Sequence, residues 1–198
     1  TYGQTLDAGL IALGVTLEPD ARSAIEAHVR FLLAWTGAIN LTAIREPADA
    51  SLLHVLDSLT AVPSLAALGI DRLLDIGSGG GFPGLPLAVV LGTDRALLVD
   101  SVGKKVRFLQ AVVEATGMGQ RIAAEQARSE TLAHDPRDRE AWPAVTARAV
   151  ASLADLVELG LPLVAPGGVL VAWKRDPVDG ELDGAAGALP ALRAGPVR

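Results

Sequence analysis

The chain has 198 residues, half of them hydrophobic and only 4% aromatic, with a formal net charge of −6. That is enough for one medium domain, or a core with a small appendage, built around aliphatic side chains. It has no cysteine, which removes disulfides, thiolate metal sites and cysteine nucleophiles, including the ring attack that methylation of pyrimidine C5 requires. The negative balance argues against indiscriminate binding to nucleic acid or anionic membrane, and requires any RNA contact to use basic residues gathered on one face. His28, His54 and His134 stand far apart with no H-E-x-x-H spacing, so no metal site is expected. No apolar run approaches the roughly 20 residues of a membrane span, and the start carries no signal-peptide pattern. The expectation is a cytoplasmic, monomeric protein with no membrane contact. Starting at Thr1 without Met and ending on Gly195-Pro-Val-Arg198, it reads as a trimmed chain.

Residues 3–13 and 19–38 read as helices, the second with Ile25, Val29, Leu32 and Leu33 at helical spacing and Arg22, Glu26 and Arg30 outside. Asn40-Leu-Thr42 breaks the pattern. A third helix is predicted from Pro47 to about Leu68, interrupted at Pro63, with Leu52, Leu53, Val55, Leu56 and Leu59 as its apolar side. His54, Asp57 and Ser58 fall at i, i+3 and i+4 and so share one face. That trio is not a hydrolase site: one helix face gives a serine no strained elbow, and no G-x-S-x-G occurs. By spacing alone it reads as a solvated polar face or a local hydrogen-bonded cluster.

From Arg72 the pattern alternates. Strands are predicted at 72–76, 95–99, 121–124, 144–148 and 168–173, and helices at 83–92, 102–116, 127–133 and 152–162. Such alternation predicts a parallel sheet covered on both faces. Pro166-Gly-Gly168 reads as a turn, and the pattern is lost after Lys174. The division that follows is a helical N-terminal extension over 1–69 and a Rossmann-like α/β core over 70–198.

The chain is organised around Arg72-Leu-Leu-Asp-Ile-Gly-Ser-Gly-Gly-Gly-Phe-Pro-Gly84, a strand, a glycine loop and a helix start. Glycines here let the backbone turn sharply and approach a ligand closely. Gly79, Gly81 and Gly84 satisfy G-x-G-x-x-G, which alone is weak evidence for a dinucleotide and is compatible with a turn used only for helix–sheet packing. Asp75, just before the loop, would repel a pyrophosphate but suits a ligand with positive charge, such as the sulfonium and ammonium of S-adenosylmethionine. The next strand ends in Asp100, at the spacing of a carboxylate that takes ribose hydroxyls. Lys104, Lys105 and Arg107 then place three cations in the first turns of a helix, where the macrodipole disfavours positive charge by roughly 0.3–1 kcal/mol each. They read either as a solvated face or as phosphate contacts beside the ligand crevice.

With these residues in place the chain resembles the bacterial small-subunit rRNA guanine-N7 methyltransferase family (RsmG, also called GidB) over roughly 40 to 175. The resemblance is carried by Asn40-Leu-Thr42, His54-x-x-Asp57-Ser58, Asp75-Ile-Gly-Ser-Gly-Gly-Gly-Phe-Pro-Gly84 and Asp100-Ser-x-x-Lys-Lys-x-Arg-Phe108. It continues through Arg128-Ser-Glu130 and Arg148-Ala149 to Lys174. It implies a class I S-adenosylmethionine-dependent methyltransferase fold with a helical N-terminal extension. The implied activity is methylation of a guanine N7 in the decoding region of 16S rRNA, position 527 in the usual numbering, on the small ribosomal subunit. By position it implies that Gly77, Gly79, Phe82, Ser129, Glu130 and Arg148 line the cofactor site, with Asp75 and Asp100 supporting it. It also implies that Lys104, Lys105, Arg107 and Lys174 face RNA, and that Asn40, His54, Asp57 and Ser58 form a polar face at the mouth of the site. Two departures stand out: Lys174-Arg175 replaces the family's Lys-Gly, and the tail lacks the pattern of the antiparallel strand pair that closes such sheets.

Guanine N7 offers a lone pair and loses no proton on methylation, so the implied reaction needs no general base and rests on positioning and electrostatics. Ala149-Val-Ala-Ser152 stands where methyltransferases of exocyclic amines carry (Asp/Asn)-Pro-Pro-aromatic. Three other readings of the same loop are an NAD-dependent oxidoreductase, a small-molecule methyltransferase, and a non-catalytic ribosome- or RNA-binding module that keeps the fold.

Overall fold

The computed structural model describes residues 1–174, 179–192, 194, 195 and 197. Three segments of helix come first: α1 (Tyr2–Leu13), α2 (Pro19–Ile39), and a broken run made of α3 (Pro47–Ala50), a π-helical turn (Ser51–Leu56), α4 (Asp57–Leu59) and α5 (Val62–Ala67). The alternating part follows as β1 (Arg72–Ile76), α6 (Gly84–Leu91), β2 (Arg95–Asp100), α7 (Gly103–Ala115), β3 (Ile122–Gln126), α8 (Ser129–His134), β4 (Trp142–Arg148), α9 (Leu153–Gly160) and β5 (Val164–Trp173). Two short helices close it, α10 (Asp179–Ala185) and α11 (Ala188–Ala191).

The five strands form one parallel sheet in the order β3-β2-β1-β4-β5. β1 is therefore central, with β2 on one side and β4 on the other. The order reverses beside it, and the crevice at such a reversal, outside the carboxyl ends of the strands, is where open α/β sheets bind ligands. Strand residues alternate between two buried layers. Leu73, Ala96, Leu98 and Ala144 join a cluster with Leu6, Ile25, Leu32, Val55, Leu85 and Phe108, so the N-terminal helices share one core with this face of the sheet. Leu74, Ile76, Leu97, Val99, Val145 and Ala147 face a second cluster with Leu132, Leu156 and Leu163.

Four departures from the sequence reading have local causes. The run from 47 breaks at Thr60-Ala61, not at Pro63, which sits in the first turn of α5, where proline's missing N–H costs nothing. Within that run Leu52 and Leu53 are each 51% exposed, because the wider π turn rotates them off the apolar side. The 47–67 run is also long and apolar enough to cross a membrane, with a mean hydropathy of 1.3 over its best 18-residue window, contrary to the expectation. Its Ala50, Val55, Leu56, Leu59 and Leu65 are instead part of the core. Finally, Pro166-Gly-Gly168 is not a turn before a strand but a bulge inside β5. Trp142 pairs with Val164 and Ala144 with Val169, so three extra residues are accommodated on the β5 side. Gly168 passes so close to the Pro143 carbonyl that a Cβ would stand 2.6 Å from it. Among the described residues no strand follows β5, and Arg175, one of the two departures in sequence, lies outside them.

Phe108 joins the N-terminal helices to α7. It is fully buried, with its ring centroid 5.7 Å from that of Trp35 and 6.3 Å from that of His28. Phe108→Ala is expected to cost about 3–5 kcal/mol of unfolding free energy in a urea titration.

Candidate active site

The loop from Gly77 to Pro83 leaves the end of β1 with Gly77, Gly79 and Gly81 at φ of 66°, 55° and 88°. These are left-handed conformations that a side chain disfavours. Contacts add a second constraint. A Cβ on Gly77 would stand 2.6 Å from Val150 Cγ2, and one on Gly84 would stand 2.4 Å from Asp75 Cβ. The loop is thus bare backbone fitted closely between β1, the segment after β4 and the N-terminal helices.

Asp75 lies beneath this loop. It is fully buried, Thr146 Oγ1 donates to its Oδ1 at 2.7 Å, and its Oδ2 meets no donor. Register explains the contact: Asp75 and Thr146 are paired across β1 and β4, so their side chains leave the sheet together. Burial pushes the carboxyl up to about 6, with the hydrogen bonds from Thr146 and Ser78 opposing it. Asp75 therefore underlies the cradle rather than lining it. Asp100, expected to take ribose hydroxyls, also braces the loop. Its Oδ2 accepts from Gly79 N at 3.0 Å and its Oδ1 from Val102 N at 2.9 Å, so it joins the loop to the N-terminus of α7. Lys105 Nζ sits 3.5 Å from the same Oδ2.

Phe82, just past the glycines, is held by two histidines. The His28 ring stacks on it at 4.2 Å and 12°, and the His54 ring at 4.9 Å and 21°. His28 Nε2–H donates to the Gly80 carbonyl at 2.6 Å, which leaves Nδ1 buried without a partner. Burial lowers His28 to about 4, so the ring is neutral. His54 is also lowered to about 4, by burial first and then by the neighbouring Arg148 charge.

Arg148, at the end of β4, closes the other side. Its Nη1 donates to Asp57 Oδ2 at 2.8 Å and to the Leu53 carbonyl at 3.2 Å, and its Nη2 donates to His54 Nδ1 at 3.1 Å. His54 Nε2–H then donates to Thr42 Oγ1 at 2.8 Å. The guanidinium carbon lies 5.6 Å from the Phe82 centroid. Ala149, the next residue, is forced to φ 56°.

The structure thus gathers Gly77, Gly79, Phe82, Asp100, Arg148, His54 and Asp57 around one loop, and sets other sequence candidates apart. Ser58 is fully buried and turned back to the His54 carbonyl at 2.6 Å, so it is not on the face of the other two. Asn40 is the left-handed C-cap of α2, at φ 51°. Lys174, expected to face RNA, is only 15% exposed at its side chain, with Nζ 2.6 Å from Glu181 Oε2 and 2.7 Å from the Ala151 carbonyl. It ties α10 to the segment after β4. Ser129 and Glu130 open α8 at the carboxyl end of β3, half-buried and exposed. Lys104 and Arg107 are exposed on α7, with no ion pair among the described residues. His28 is the site residue the sequence reading passed over. Its signal was position: it falls among Ile25, Val29 and Leu32 on the buried stripe of α2, where a polar side chain calls for a reason.

Among the described residues no group of three or more His, Asp or Glu could hold a metal ion. The residues around the loop suit an adenosyl sulfonium: bare, tightly turned backbone with the carboxylates of Asp75 and Asp100 close to it.

Comparison with known proteins agrees. The family described as GidB, rRNA small subunit methyltransferase G, matches residues 21–190. The chain is 40% identical over 183 residues to the ribosomal RNA small subunit methyltransferase G of Dehalococcoides mccartyi, covering 91% of this chain and 76% of that protein. It is 43% identical over 175 residues to the protein of the same name from Roseiflexus castenholzii, covering 87% and 74%. The chain belongs to this family. Its fold is also that of an O-methyltransferase from Bacillus cereus solved with SAH, with a TM-score of 0.57 at 17% identity over 83% of this chain and 79% of that one. An SAH-bound methyltransferase from Podospora anserina gives 0.55 at 14% identity, over 90% and 79%. The parallel sheet with its N-terminal helices is a class I S-adenosylmethionine methyltransferase fold.

The two buried imidazoles and Asp75 set opposite pH dependences. The unfolded chain protonates His28 near 6.5, the native one only near 4. Its contribution is therefore fully present above pH 6.5 and is lost as pH falls towards 4, and His54 acts in the same sense. Asp75 protonates near 6 when folded and near 3.8 when unfolded, so it opposes them over that window. Two protons against one predict that stability falls between pH 6.5 and 4.5. His28→Gln should flatten that slope by up to about 1.4 kcal/mol per pH unit in urea titrations.

Proposed function

We propose that this chain transfers a methyl group from S-adenosylmethionine to N7 of a guanine in small-subunit rRNA. The observation that supports it best is the glycine cradle at the sheet's switch point, backed by buried Asp75 and closed by the Phe82–Arg148 pair. Bound S-adenosylmethionine supplies an electrophilic sulfonium methyl. The residues of this chain do the rest by position. The Gly77–Gly81 backbone bears the cofactor, and Asp75 and Asp100 set a negative potential beneath and beside it. Asp100 also fixes the loop through Gly79 N–H.

Arg148, paired with Asp57, offers hydrogen-bond donors at the mouth of the site without adding net charge there. That balance suits a reaction in which a cation delivers its methyl to a neutral lone pair, because an unpaired guanidinium would repel the sulfonium. Attack by the N7 lone pair requires no general base. Exposed Lys104 and Arg107 on α7 start beside the cradle and are suited to rRNA phosphates. Small ribosomal subunits, or their precursors, are the substrate this implies, and their location places the enzyme in the cytoplasm.

The direct test is methyl transfer from labelled S-adenosylmethionine to small subunits from a strain lacking the modification, mapped by cleavage at 7-methylguanine. Label at one guanine is expected. Tight cofactor binding without label would point to another acceptor, and loss of both would overturn the reading. Lys104→Ala with Arg107→Ala should reduce the salt-dependence slope of RNA binding by about 2 and leave cofactor affinity unchanged. Asp100→Ala, which frees the Gly79 N–H, should weaken cofactor binding by about tenfold or more in calorimetry.

A further inference from the structure

The guanidinium of Arg148 is held with unusual care by a part of the chain 91 to 95 residues away. Three acceptors converge on it from one turn: the Leu53 carbonyl, His54 Nδ1 and Asp57 Oδ2. Here the turn is π-helical from Ser51 to Leu56, a geometry rare in general and frequent at functional sites. The same turn is fixed from a third side by Trp173 Nε1, which donates to the Asp57 carbonyl at 2.9 Å.

The imidazole is set for one purpose. Thr42 Oγ1 accepts from Ile44 N at 3.1 Å and stands 2.8 Å from His54 Nε2. Because Arg148 can only donate, Nδ1 must be the bare nitrogen and Nε2 must carry the proton. Arg148 therefore selects the tautomer, and Thr42 Oγ1 accepts the Nε2–H on the far side of the ring, which holds the imidazole with its lone pair towards the guanidinium. An arginine has five N–H donors, and the contacts to Leu53, His54 and Asp57 use three. Nε–H and one Nη2–H remain, on a side chain that is 17% exposed.

We propose that His54, oriented by Thr42 and assisted by Asp57, is a positioning residue that fixes Arg148 so that its two remaining N–H groups face the bound cofactor. This rests on the reading above that Arg148 borders the cofactor. A simple structural staple has no need of a selected tautomer, a π turn and a left-handed alanine at φ 56° directly after the arginine. Strained and rare backbone of this kind persists where the geometry is used.

His54 has two separable features, a ring stacked on Phe82 and an acceptor for Arg148. His54→Phe keeps the ring and removes the acceptor. His54→Asn removes the ring and keeps an acceptor at the δ position. S-adenosylmethionine binding to the full chain would be measured by calorimetry, with thermal unfolding alongside. The expected result is that His54→Phe weakens binding on the order of tenfold to a hundredfold, while His54→Asn retains most of the affinity. Thr42→Val, which keeps the imidazole but removes the acceptor that holds its Nε2–H, should show the same effect in smaller degree and covers the case in which His54→Phe does not fold. In an Arg148→Ala background His54→Phe should have no further effect on affinity. If Arg148→Ala weakens binding but His54→Phe and Thr42→Val do not, or if the effect of His54→Phe persists without Arg148, the positioning role is overturned. If Arg148→Ala itself leaves binding unchanged, the placement of Arg148 at the cofactor fails, and this inference with it.

Discussion

The stack of His28, Phe82 and His54 is the contact on which the site depends. A glycine-rich loop has little side-chain surface with which to anchor itself, and its backbone freedom costs entropy when it is fixed. Here the anchoring comes from outside the loop. An imidazole from α2 holds the Gly80 carbonyl, a second from the π turn stacks on Phe82, and Asp100 holds the Gly79 N–H. The helices before the sheet are in this sense part of the cofactor site and share its core.

Charge in the site is arranged in neutral sums. Arg148 is matched by Asp57 and Lys105 by Asp100, and both histidines are kept uncharged by burial. Only Asp75 is left with an unmatched carboxylate oxygen, and the shift of its carboxyl up to about 6 shows what that isolation costs. Its negative charge beneath the cradle is the right sign for a sulfonium ligand.

Local features were the legible ones. β1, the glycine loop and α6 lie within residues 72–91, and their sequence shows strand, turn and helix directly. The same holds for the basic start of α7. What the sequence hid was set by distance or by geometry of more than one element. His28 meets Gly80 across 52 residues, and Arg148 meets His54 across 94. The spacing of His54, Asp57 and Ser58 placed all three on one face because it assumed 3.6 residues per turn. The π turn breaks that assumption, turns Leu52 and Leu53 outward and leaves Ser58 inside. The resemblance set Lys174 towards RNA, and its ion pair was hidden because Glu181 lies in a stretch without helical periodicity. Spacing pointed Asp100 at the ribose, and its further part, accepting from two backbone amides, is visible only in the fold.

The long sequence separations within the site also order its assembly in time. During synthesis the chain emerges from its N-terminus, and segments can dock only once both partners exist. The imidazole of His28 has its carbonyl as soon as the glycine loop is out, and the loop has Asp100 some 21 residues later. The guanidinium clamp must wait for β4, and the Trp173 contact that steadies the same turn must wait for β5, 116 residues beyond Asp57. Contacts this far apart also carry the largest loop-closure cost. A nascent chain can therefore make the His28 and Asp100 contacts to the loop before it holds the arginine that completes the mouth, and the remaining contacts wait until the second half of the sheet pairs with the first.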